Sequence, residues 1–145
     1  MVILRDAAAD RIGGVFKTGM TERTNFWISL QNLVATSKIV IDRPRGSRHP
    51  RYPDVTYPVD YGYLEGTCAG DGDGIDIFHG RSGGDTITGI CCTIDALKRD
   101  AEVKILYACT EEDISAIRQL MGSGPMACVV VVNPSAIHQP DAGVQ

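Results

Sequence analysis

The sequence has no apolar run close to the about 20 residues a membrane-spanning helix needs. It also lacks the continuous hydrophobic segment that a secretory signal carries near its start. Membrane insertion and secretion are therefore not expected, and the reading is a cytoplasmic protein. Positive charge is in deficit, 14 Lys and Arg against 18 Asp and Glu, for a net charge of -4. That excludes a global attraction to nucleic acid or to an anionic membrane, although a local basic cluster is still allowed. Paired cysteine motifs are missing too. Cys68, Cys91, Cys92, Cys109 and Cys128 are an odd set with no CxxC and no histidine spacing that would complete a zinc site. They read as buried reduced thiols of a reducing compartment, with Cys91 and Cys92 on opposite faces of a strand.

What is present suffices for one core, since 145 residues with 43% apolar content fit a single domain without disulfides or a structural metal. Residues 1–20 read as a disordered extension, 21–132 as the folded domain, and 133–145, with two prolines and little apolar content, as a disordered tail. Phe26, Trp27, Leu30, Leu33 and Val34 recur at helical spacing after Thr21 or Thr24, either of which offers a cap. Short β-rich runs follow at 38–42, 61–65, 75–79, 86–95, 102–108 and 127–132, separated by glycine or acidic turns. Between the last two, Thr110 and Asp113 form a capping-box start, Ile114, Ile117, Leu120 and Met121 mark a buried stripe, and Gly122 ends the helix. The fold expected is mainly β with flanking helices (α+β), its six strands forming a closed sheet.

Chemistry concentrates in residues 70–76. Asp71, Asp73 and Asp76 alternate with Gly70, Gly72 and Gly74, which let the backbone turn tightly enough to aim several carboxylates at one point. Converging carboxylates repel unless a cation sits among them, and hard oxygen donors suit magnesium, manganese or calcium but not zinc. A calcium EF-hand loop fails, because its fifth ligand position falls on Ile75 and its closing glutamate position on Ser82. A solvated acidic turn remains the plain alternative. Asp95 and Asp100 flank a connection between two strands and supply further carboxylates to the same cavity. Residues 43–58 hold four arginines, one histidine and four prolines, an ordered loop rich in cations. Arg48 and Arg51 lie in this loop, which is the only concentrated basic patch of the sequence.

The run YPVDYGYLEG at 57–66, then DGDGID, then TIDALKRDAEVKIL at 93–106, resembles the magnesium-dependent soluble inorganic pyrophosphatases of the OB-barrel type over roughly residues 38–108. That resemblance implies a single-domain, OB-like closed β-barrel of five to six strands. Asp71, Asp76 and Asp100 would then be ligands of the tightest metal, with Asp76 bridging to a second ion and Asp95 holding an ion that arrives with substrate. Asp73 would orient or deprotonate the attacking water, Tyr57 would stand near that base, Lys38 and Tyr61 would touch substrate phosphate, and Arg48 or Arg51 would supply the loop arginine that joins them, with the Tyr57 phenol as a further donor. The cofactor implied is Mg2+, with Mn2+ as a substitute. The partners implied are pyrophosphate or a related small phosphoanhydride and further copies of the chain.

The sequence also departs from the family. Val40 stands where a glutamate is expected, Glu102 where a lysine is expected, and a Tyr-Lys pair is missing from the terminal helix. Gly74 replaces the usual Pro or Glu, which loosens the turn without removing a ligand. Alternation puts Glu102 and Lys104 on one face, so Lys104 can take over phosphate binding and Glu102 can replace a lost ligand. Hydrolysis of pyrophosphate by metal-activated water is the function these residues imply. The alternative is a divergent metal- and phosphate-binding protein of the same fold with weak, altered or no hydrolase activity.

Overall fold

A computed structural model describes residues 18–137. The elements run α1 (Thr18–Ala35), β1 (Ile39–Arg43), β2 (Asp60–Leu64), β3 (Asp76–His79), β4 (Ile87–Asp95), β5 (Asp100–Tyr107), α2 (Glu111–Met121), β6 (Met126–Val132) and α3 (Pro134–Ile137). The six strands form one sheet in the order β1-β2-β3-β5-β4-β6. All neighbours are antiparallel except β3 and β5, which run parallel.

Alternation along the strands gives the sheet two apolar faces. On one, Phe78, Cys91 and Leu106 pack with Tyr57, Val59 and the α2 residues Ile114, Ile117 and Met121. On the other, Leu64, Ile77, Ile87 and Ile105 pack against Val34, with Trp27, Leu30 and Leu33 of α1 around them. Helix α2 is amphipathic and begins with the expected capping box. Thr110 Oγ1 accepts from the Asp113 N–H at 3.1 Å, and the Asp113 carboxylate accepts from the Thr110 N–H at 3.0 Å. Among the described residues no helix is long and apolar enough to cross a membrane.

Several expectations need correction. The sheet does not close into a barrel: β1 and β6 are its two open ends, with no ladder between them among the described residues. A bulge between Ile41 and Arg43 bends the end of β1 toward the 44–58 loop. Helix α1 starts at Thr18, so Thr21 and Thr24 lie inside it and do not cap it. Phe26, expected in its buried stripe, is 47% exposed. The tail expected to be disordered from residue 133 opens with the short helix α3, while residues 1–17 and 138–145 lie outside the described part. The five thiols are free, but Cys68 is exposed and Cys92 and Cys128 are only half-buried.

Candidate functional site

The polar centre of the molecule sits on the α2 face of the sheet. Parallel pairing sets Ile77 beside Ile105, and one residue back on each strand sets Asp76 beside Lys104. Alternation turns Asp76, Glu102 and Lys104 toward the face that carries Phe78 and Leu106. There the Lys104 ammonium, its side chain 6% exposed, donates to Asp76 Oδ2 at 2.8 Å, Glu102 Oε2 at 2.7 Å and the Tyr61 hydroxyl at 2.9 Å. An ammonium has three protons, and each has a partner. Burial pulls the Lys104 pKa down, but Tyr61, Asp76 and Glu102 more than offset it, and the net shift is upward. Burial pushes the Tyr61 phenol up, Asp76 adds to the rise, and Lys104 only partly opposes it. At neutral pH the lysine of this centre is thus charged and its phenol neutral.

An aromatic stack extends from this centre. The Tyr61 ring lies 4.8 Å from Phe78 and 5.3 Å from Tyr57, and Tyr57 stacks in turn with His49. Arg43 covers the pair, its guanidinium carbon 5.5 Å from the Tyr57 centroid and 5.9 Å from the Tyr61 centroid, and it donates to the Tyr57 hydroxyl. The bulge in β1 places Arg43 opposite Tyr61. Gly62 makes room for this approach, because a Cβ there would fall 1.8 Å from the Val40 carbonyl oxygen. Burial, followed by the charges of Arg43, Lys98 and Arg51, lowers the His49 pKa.

The acidic residues gather at the same end of the sheet. Asp95 and Asp100 face each other across the β4–β5 hairpin. Asp95 Oδ1 accepts from the N–H groups of Leu97 and Lys98 at 2.9 and 3.0 Å, which orders that turn. Asp71 and Asp73 are exposed on the turn leading into β3, where Asp71 Oδ1 accepts from the Asp73 N–H at 3.0 Å. Gly74 in this turn fits closely rather than loosely, since a Cβ would lie 3.0 Å from both the Tyr63 ring and the Leu64 carbonyl oxygen.

The other sequence candidates are placed as follows. Lys38 lies opposite Glu65 at the acidic end, 3.9 Å from its carboxylate, with both side chains exposed. Arg48 pairs with Thr56 in an isolated bridge, and Arg51 donates its backbone N–H to His49 Nδ1; both side chains are exposed. Tyr57, expected beside the base, is 4% exposed and forms part of the core. Lys104, expected to meet phosphate, is wrapped by its own neighbours. Sequence reasoning missed Arg43, whose place on the tyrosine stack depends on the bulge. Its only signal was its position at the head of the arginine-rich stretch.

A cleft of about 860 Å³ opens on the other face, floored by Leu30, Ile90, Val103, Ile105 and Val129. Asp71, Asp76, Asp100 and Glu102 border it, but alternation sends Asp76 and Glu102 away from the face of Ile77 and Val103. The cleft is an apolar feature, and the polar centre lies behind it.

The carboxylate donors have the right chemistry for magnesium, yet no set of three or more His, Cys, Asp or Glu among the described residues is grouped to hold a metal ion. At Asp76 the neighbouring cation is Lys104. A resident cage does not fit. The donors do suit the looser mode in which one or two carboxylates hold magnesium and water and substrate phosphates complete its shell.

No family model matches the chain, and no curated protein does. Among solved structures, an inorganic pyrophosphatase from Coxiella burnetii overlays with a TM-score of 0.42 at 15% identity, over 68% of this chain and 86% of that one. An inorganic phosphatase from Anaplasma phagocytophilum overlays with a TM-score of 0.41 at 17% identity, over 65% of this chain and 81% of that one. These are loose overlaps, and the functional reading rests on the site itself.

Proposed function

We propose that the protein hydrolyses pyrophosphate, or a related small phosphoanhydride, which enters as its magnesium complex at the acidic end of the sheet. The observation that carries this reading is the strand pairing. It sets Asp76 at the head of β3, just after the Asp71 and Asp73 turn, and the Asp95 and Asp100 hairpin at one end of the sheet, from separate stretches of chain. Pyrophosphate carries close to four negative charges and repels hydroxide until cations neutralise it.

Exposed Asp71 and Asp100 are the residues that would hold the magnesium, with Asp95 beside them. When bound, the ion lowers the pKa of a coordinated water. Asp73, exposed on its turn, would accept a proton from that water. Arg43 presents a guanidinium over the Tyr57 and Tyr61 rings, and exposed Lys38, Arg48 and Arg51 are further candidate cations for the phosphates. Manganese would substitute for magnesium at such oxygen donors. The reading keeps the chain cytoplasmic and homo-oligomeric. The open edge of β6, with Val129 64% exposed and Val131 44% exposed, is the surface copies would share.

Phosphate release from pyrophosphate with Mg2+ or Mn2+ tests the proposal. Wild type should turn over, and Asp73→Ala should be slower by about 100-fold or more, the usual contribution of a general base. Absence of phosphate with either metal overturns it. A second reading, phosphate recognition without turnover, is favoured by the engagement of Asp76 and Glu102 with Lys104. Calorimetric binding of pyrophosphate without product would establish that reading instead.

A further inference from the structure

We propose that the Lys104 ammonium occupies the place of a divalent ion between Asp76 and Glu102, making this pair a self-neutralised site that free metal does not enter. This deepens the reading above and relies on it only for the kind of metal concerned. Two carboxylates held on adjacent strands, each side chain about three-quarters shielded, need a counter-cation. Lys104 meets that need from within, with three contacts of 2.7–2.9 Å and no spare proton.

An incoming ion would have to evict the ammonium, and the structure gives the ammonium nowhere to go. Strand β5 is flanked by β3 and β4, so its backbone cannot swing outward. Below Lys104 the face is closed by Cys91, Phe78 and Leu106, each 0% exposed. Stranding a buried ammonium among apolar groups is far costlier than leaving it bonded. The sequence had offered Lys104 as a phosphate ligand and Glu102 as a replacement metal ligand; the geometry points to each satisfying the other. Any metal the protein takes at the acidic end is therefore confined to exposed Asp71, Asp73 and Asp100 and half-buried Asp95.

Manganese titration by calorimetry, without pyrophosphate, tests this in the wild type and in Asp76→Asn. The affinity should agree within threefold between the two, and absence of binding in both also supports the proposal. A wild-type affinity that falls more than threefold in Asp76→Asn overturns it. Lys104→Met adds a second arm, with folding checked by circular dichroism. The folded variant should gain a Mn2+ site that disappears again in the Lys104→Met, Asp76→Asn double variant, and a folded variant with no gain overturns the proposal. If Lys104→Met does not fold, the wild-type and Asp76→Asn pair decides alone. None of these readouts involves hydrolysis, so failure here and failure of the hydrolase reading remain separate results.

Discussion

Among the described residues, two buried charged clusters are built in opposite senses. Around Asp113 the acid is the buried member, 1% exposed. Arg81 reaches it from outside with a side chain 46% exposed, donating Nε at 3.1 Å and its backbone N–H at 3.0 Å. Around Lys104 the cation is buried, and the acids keep side-chain exposures of 28% and 27%. The first arrangement turns every carboxylate lone pair inward and fixes the start of α2 against the 80–82 turn. The second leaves Asp76 and Glu102 partly exposed around a buried ammonium. One cluster buries its acid and the other buries its cation.

Lys104→Ala should break this contrast most severely, because it removes the cation from between two carboxylates. Urea denaturation should show a loss near the low end of the about 3–5 kcal/mol typical of a broken buried pair, since the acids are partly exposed. Asp113→Asn comes next, at about 1–3 kcal/mol, because it weakens the cap and leaves Arg81 unpaired. That loss should depend on pH. Burial alone would raise the Asp113 pKa, but the hydrogen bonds from Thr110 and Arg81 outweigh it and hold the carboxyl below its ordinary range. The folded pKa thus lies below the unfolded value of about 3.9. The Asp113 contribution is complete above that unfolded value and disappears as pH falls through the folded one. Denaturation across pH 2 to 7, chosen as about the span on either side of that value, should show the wild-type and Asp113→Asn curves converging in acid.

Smaller effects sharpen the same contrast. Arg43→Ala should cost about 1 kcal/mol through the lost stacking charge. It should also weaken pyrophosphate binding more than Arg48→Ala or Arg51→Ala, as measured by calorimetry, because Arg43 alone of the three lies on the tyrosine stack. Asp73→Ala should be the mildest for folding, within about 0.5 kcal/mol as for an ordinary surface change. An Asp73→Ala protein that unfolded easily would show that the acidic turn supports the core and is not a free surface.

The local parts of this design were legible in the chain. Thr110 and Asp113 announced the cap of α2 because capping depends on residues three apart, and the β-branched runs announced the strands for the same local reason. Alternation correctly placed Glu102 and Lys104 on one face. Their mutual pairing was not visible, because it depends on β3 lying parallel beside β5, a contact between residues 28 apart for Asp76 and Lys104. Barrel closure was misjudged on similar grounds: strand signals say nothing about which edges meet. Arg43 was overlooked because its direction is set by a bulge, and Tyr57 was assigned to chemistry because a motif cannot report that its ring is covered by Arg43 and His49. Where Gly74 stands, the sequence showed a loose turn residue; the fold uses it for close approach, as it uses Gly62 within β2.

The distribution of sulfur offers a practical handle. Burial pushes the Cys91 and Cys109 thiols up to about 12, with Cys128 adding to the rise at Cys91 and Asp113 to that at Cys109. They stay protonated and unreactive at neutral pH. Cys68 is exposed and precedes Asp71 by only three positions. A maleimide dye should therefore attach there first, giving a fluorescent reporter beside the acidic turn without engineering a new attachment point.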